Sequence, residues 1–300
     1  QGWSNYITGV VSELQALGAE LSGFKATFSG DVPIGGGMSS SAALECSFAF
    51  ALNALFDLGL DRWELIRAAQ RAEHNFVGTR CGIMDQFSSV MGKKEQVMLL
   101  DCRSLDFTYL PCDLGAYQLL LLNTNVSHSL ATSAYNTRRE ECESGVALLQ
   151  EQFPEIQSLR DVSTSMLQEV ITQLPDNIAQ RCRHVVSENE RVLAAAAALQ
   201  QDDLEQLGAL MYASHDSLQR DYEVSCPELD FLVEQTRSRP YVLGSRMMGG
   251  GFGGCTINLL EQRHLADFVA ELSTAYRQQF GLELTPYTVS IENGVAEVAE

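Results

Sequence analysis

Positive charge is what this 300-residue chain has least of. Lysine and arginine total 20 against 39 aspartates and glutamates, a formal net charge of −19, and lysine occurs only at Lys25, Lys93 and Lys94. Such a surface repels polyanions, so neither nucleic acid nor an anionic membrane is expected as a partner. The scarcity also excludes a Walker P-loop, which needs G-x-x-x-x-G-K-[ST], because none of the three lysines stands in that frame. Long apolar runs are missing as well. None approaches the roughly 18 residues of a membrane-spanning helix, and the blandest stretch, residues 192–199, is short and alanine-rich. No basic-then-apolar leader opens the chain. The eight cysteines form no C-x-x-C pair and have no zinc-ligand spacing. They read as scattered, packed, reduced thiols, which points to the cytoplasm.

What is present is an ordinary globular composition, 45% hydrophobic and 20% charged, in a chain long enough for two domains. Strand-like and helix-like patterns alternate, so the expected fold class is α+β, with helices packed on mixed sheets. Phe24, Ala26 and Phe28 alternate like a strand. Residues 39–56 read as a buried helix, apolar nearly all round. Asp61 is placed to cap a helix running to about Val77. Short strands are expected at 97–100 and 107–110, a strand buried on both faces at 117–123, and helices over 132–153 and 175–218. Strands at 241–247 and 256–260 flank a glycine-rich turn, a helix covers 261–280 and a strand 287–291. The expected domains are 1–115 and 116–300, divided near Gly115.

Three motifs carry chemistry. In the first, Gly35, Gly36, Gly37 and Met38 lead into Ser39, Ser40 and Ser41 at the start of the buried helix. Glycines let the backbone approach a ligand, the free N–H groups of a first helical turn bind anions, and serine hydroxyls add donors or a magnesium ligand. That suits nucleotide phosphates, above all in a protein too acidic to hold them with lysines. The plain alternative is a flexible turn with a serine cap. The second motif is Glu73-His74-Asn75-Phe76-Val77-Gly78 followed by Cys81-Gly82-Ile83-Met84-Asp85-Gln86-Phe87. Glu73 shares a stripe with Ile66, Ala69, Phe76 and Val77, and a carboxylate on an apolar face must be paired or hold a metal. Its alternative is a helix-edge residue reaching water. Asp85 is either a functional carboxylate or a helix N-cap, and His74 is read as a structural hydrogen-bonder. The third motif is Gly249-Gly250-Gly251-Phe252-Gly253-Gly254-Cys255. It matches G-x-G-x-x-G, but a strand follows where a dinucleotide fingerprint needs a helix, so its glycines read as permitting close packing on another loop or a ligand.

Together and in this order the motifs resemble the GHMP kinases, and among them most closely the galactokinase family. Residues 35–42 are similar to its nucleotide loop and 81–87 to its catalytic-aspartate segment. Asn125-Val126-Ser127-His128-Ser129-Leu130-Ala131, with Tyr135, Arg138 and Arg139 after it, resembles its sugar-contacting stretch. Residues 221–230 and 249–255 are equally characteristic, and the segment from Trp3 to Val10 resembles the helix before the loop. No counterpart is present of the segment rich in Gly, Glu, His, Thr, Asp and Tyr, with an upstream arginine, that opens family members and helps bind the sugar. The resemblance implies a two-domain GHMP fold with its active site between domains. It also implies an ATP-dependent kinase acting on the anomeric hydroxyl of α-D-galactose. Gly35, Gly36, Gly37, Met38, Ser39, Ser40 and Ser41 would cradle ATP, Ser41 and Glu73 would hold Mg2+, and Asp85 would meet the reacting hydroxyl as base or orienting acceptor. Gly82 and Tyr135 would contact the sugar, and a monomer is expected. A kinase for N-acetylgalactosamine or arabinose, and a non-catalytic galactose sensor, stay open beside this reading.

Overall fold

The structure, a computed structural model, describes residues 2–34, 36–127 and 131–298. The chain divides into two compact units, Gln1–Cys112 together with Ser290–Glu300, and Asp113–Val289.

The first unit holds α1 (Ser4–Ala16), α2 (Ser40–Leu55), α3 (Arg62–Ala72), α4 (Met84–Met91) and the antiparallel pair β1 (Gln96–Leu100) and β2 (Phe107–Pro111). Asp61 starts α3 with a capping box: its carboxylate accepts the Glu64 N–H at 2.9 Å, and the Glu64 carboxylate accepts the Asp61 N–H at 2.8 Å. The helix does not reach Val77 as a plain α-helix. Its continuation, Glu73–Val77, is a π-turn that ends on Gly78 at φ +90°. The cause is tertiary. Gly9 of α1 lies so close to α3 that a Cβ there would stand 2.9 Å from the Ala72 Cβ. One turn further along α1, Glu13 accepts from Arg71 at 2.7 Å and from Asn75 at 2.8 Å. Helix α1 therefore grips the chain on both sides of the point where the winding changes.

Two sequence expectations are corrected in this unit. Residues 21–31 form no regular element and join no sheet among the described residues. Their alternation serves aromatic packing on helices instead: Phe24 meets Phe56 edge-on at 6.3 Å, and Phe28 meets Phe48 at 5.4 Å. The chain after Val289 also belongs with the first unit, not the second. The Ile291 carbonyl accepts the Glu95 N–H at 3.1 Å, Gly294 donates to the Gly92 carbonyl at 2.8 Å, and Val295 donates to the Ser89 carbonyl at 2.8 Å.

The second unit runs β3 (Tyr117–Ser127), α5 (Ala131–Gln150), α6 (Thr164–Val170), α7 (Asp176–Gln200), α8 (Leu204–Ser217), α9 (Pro227–Arg237), β4 (Val242–Met247), β5 (Gly253–Glu261), α10 (Leu265–Phe280) and β6 (Thr285–Val289). Its sheet has the order β4-β5-β3-β6. Strand β3 lies inside it, and Leu120, Leu121 and Leu122 are all buried, as an unbroken apolar run requires when both faces are covered. The sheet packs through Leu120, Leu122 and Leu260 onto Leu232 of α9 and Phe268 and Leu272 of α10. All described ladders are antiparallel, where mixed pairing was expected. The links β1–β2 and β4–β5 are too short for the crossover that a parallel pair needs. A second π-turn, Leu218–Tyr222, follows α8 and ends on Glu223 at φ +53°. The glycine turn between β4 and β5 sits on the chain just beyond: Phe252 donates to the Val224 carbonyl at 2.7 Å.

Candidate active site

The glycine loop delivers the chain to α2 through two left-handed residues, Gly37 at φ +72° and Ser39 at φ +55°. Ser39 makes no side-chain cap, so the N–H groups of the first turn of α2 are left for another acceptor. Gly36, Gly37, Met38, Ser39, Ser40 and Ser41 thus form one continuous stretch of backbone and hydroxyl donors; Gly35 lies outside the described residues. This is the arrangement that binds an anion without lysine.

Glu73 stands against it. Only 8% exposed, it accepts from the Ser41 hydroxyl at 3.3 Å and from the Gln86 amide at 3.3 Å. Burial pushes its carboxyl above the ordinary range; the Ser41 hydroxyl pulls it back and the Asp85 charge adds to the rise. Asp85 itself is half-buried in the first turn of α4, whose N-cap is Ile83, so Asp85 is not the cap. Its side chain has no hydrogen-bond partner among the described residues. The turn before it is held by His74, whose Nε2 donates to the Cys81 carbonyl at 2.8 Å, and by Gln70 on the same carbonyl at 3.3 Å. Gly82 has open space where a side chain would project. The structure therefore brings Ser41, Glu73 and Asp85 together. Tyr135 belongs to the second unit, on α5, with its ring 3.4 Å from the position a Cβ would take on Gly250. Of the stretch before it, Asn125 is committed to Glu283 and Thr285 at 2.8 Å each, and residues 128–130 lie outside the described residues.

One residue escaped sequence reasoning. Glu45 is fully buried on α2, one turn beyond Ser41, and neither of its oxygens reaches hydrogen-bond geometry with a partner, although Gln86 and Glu73 face it. The available signal was a single carboxylate in an otherwise apolar helix. Burial, and then the Glu73 charge, push it up to about 9. The folded form therefore binds more protons than the unfolded one between the ordinary value of 4.5 and about 9, and stability falls as pH rises through that window. Glu45→Gln removes this titration. In chelator-treated protein it is expected to flatten the fall in Tm between pH 5 and 8.5 and to stabilise the fold by about 1–3 kcal/mol at the upper end. Equal slopes in thermal unfolding of the two proteins would rule this out.

The donor set fits a hard divalent cation. Ser41 and Glu73 offer only oxygen, two carboxyls are buried side by side, and one of them is orphaned. Magnesium is typically held by one or two such protein oxygens, with water and phosphate completing the shell.

Known proteins match this chain along its length. The description "GHMP kinases N terminal domain" matches residues 5–93, and "GHMP kinases C terminal" matches residues 195–278. A galactokinase of Thermotoga neapolitana is 42% identical over 296 residues, 99% of this chain and 82% of that protein. One of Exiguobacterium sibiricum is 42% identical over 300 residues, 100% of this chain and 76% of that protein. The crystal structure of Lactococcus lactis galactokinase complexed with galactose superposes with a TM-score of 0.92 at 32% identity, covering 99% of this chain and 77% of that one. With glycine loop, buried glutamate and aspartate turn in the order the sequence set out, the chain belongs to the galactokinase family of the GHMP kinases.

Proposed function

We propose that this chain transfers the γ-phosphoryl group of ATP to the anomeric hydroxyl of α-D-galactose. The observation that carries the reading is the uncapped first turn of α2 with Ser41 set against the buried Glu73, in a chain of the galactokinase family. The loop from Gly35 to Ser41 holds the triphosphate through backbone N–H groups and hydroxyls. Ser41 and Glu73 hold Mg2+, which when bound neutralises charge on the transferring phosphate. Gly82 leaves room for the sugar, and Tyr135 contacts it. Asp85 accepts the hydrogen bond of the anomeric hydroxyl and takes its proton as the oxygen bonds to phosphorus and the bond to ADP breaks. In a protein with so few lysines, fixed backbone dipoles do most of the positioning that phosphoryl transfer demands.

The test is ADP release from Mg·ATP across a panel of galactose, N-acetylgalactosamine, arabinose and glucose. Galactose is expected to show the highest kcat/KM. A higher value for another sugar would reassign the substrate, and tight ATP binding without turnover of any sugar would replace the kinase with a sensor.

A further inference from the structure

The second π-turn has no role in the reaction proposed above, yet its geometry is costly. The first π-turn ends on a glycine, Gly78; the second ends on Glu223, in the same left-handed region, where a side chain is disfavoured. A non-glycine residue held there raises the question of what its side chain does, and π-turns gather at functional sites.

The Glu223 carboxylate accepts from Arg181 of α7 at 2.5 Å. Arg181 is almost fully buried, and it also donates to Glu141 of α5 at 2.8 Å and to the Asp221 carbonyl at 2.7 Å. A second guanidinium, Arg138, faces the same two carboxylates, at 3.0 Å from Glu141 and 3.6 Å from Glu223. Arg138 stands three residues beyond Tyr135, on the same face of α5. On the other side, the residue after Glu223 is Val224, whose carbonyl carries the glycine turn, and Gly250 of that turn lies against the Tyr135 ring. Glu223 is thus tied to Tyr135 by two routes, through Arg138 along α5 and through Val224 and the glycine turn.

We infer that Glu223, clamped by Arg181, is a positioning residue that sets the orientation of Tyr135 and thereby the affinity for galactose. This rests on the reading of Tyr135 as a sugar contact. Glu223 touches neither substrate nor reacting atoms; it acts through the ring it aligns.

Glu223→Gly separates this role from stability, because glycine relieves the left-handed backbone while Arg181 keeps Glu141 and the Asp221 carbonyl. Galactose binding is measured by calorimetry on this chain with Mg2+ and a non-hydrolysable ATP analogue. Glu223→Gly is expected to weaken galactose binding about tenfold, with Tm and analogue affinity unchanged. Arg181→Met, if it folds, is expected to do the same. In a Tyr135→Ala background, Glu223→Gly should add no further loss. Unchanged galactose affinity in Glu223→Gly, or losses that add in the double variant, would overturn the inference. If Tyr135→Ala binds galactose like the unaltered chain, the sugar-contact reading fails and takes the inference with it.

Discussion

Replacing Asp85 with asparagine is expected to lower galactose-dependent turnover about 10³-fold, with the apparent affinities for galactose and ATP within about threefold of the unaltered chain. Asparagine has nearly the same shape and still presents an oxygen acceptor to the hydroxyl, so it keeps orientation and loses the capacity to take a proton. The surroundings make the comparison clean. Asp85 is half-buried, its own side chain is free of hydrogen bonds among the described residues, and the turn before it is fixed independently by His74 and Gln70. The substitution therefore leaves no broken internal network. A fall of this size in kcat alone, about 4 kcal/mol of transition-state stabilisation, assigns Asp85 the proton. A fall of less than tenfold assigns it orientation only, and the proton must then leave by another route. Steady-state kinetics with both substrates varied distinguishes the two.

The second large effect is on folding. Gly251→Ala is expected to destabilise the second unit by about 4 kcal/mol. Gly251 has φ +83°, and a Cβ there would stand 2.1 Å from the Val224 carbonyl oxygen. The oxygen is backbone and the Cβ position is fixed by the backbone, so neither can rotate away as the end of a longer side chain would. The adjacent Phe252 N–H is bonded to the same carbonyl, which leaves the turn no room to lift. At about 2–4 °C per kcal/mol for a unit of this size, thermal unfolding should shift down by roughly 10 °C. Gly250→Ala offers a comparison at ordinary φ, where the nearest atom is 3.4 Å away on the Tyr135 ring. If the two variants melt together, the close approach to Val224 is not what requires glycine.

Features written within one stretch of chain were legible in the sequence. The Asp61 capping box, the buried run of β3 and the serine-rich start of α2 depend on neighbours three or four residues away, or on simple periodicity. The rejected dinucleotide fingerprint is another case, since the strand after Gly254 could be read directly. What failed depends on distant partners. The alternation at Phe24, Ala26 and Phe28 is the same whether a strand or a helix receives the rings. The π-turn at Glu73 follows from Gly9 and Glu13, roughly sixty residues away. Glu45 escaped because the carboxylate it faces, Glu73, lies roughly thirty residues on, beyond the helix that carries it, so the electrostatic consequence could not be read. The same holds for the clamp joining Glu141, Arg181 and Glu223.

Residues 290–298 complete the first unit from the far end of the chain, with Gly294 on Gly92 and Val295 on Ser89. During synthesis the ribosome emits the whole second unit before these residues appear. Until then the Ser89 and Gly92 carbonyls and the Glu95 N–H have only water as a partner in place of residues 291–295. Domains that fold in order of emergence are the common pattern. Here the order is inverted: residues that close the first unit are made only after the second unit has been made.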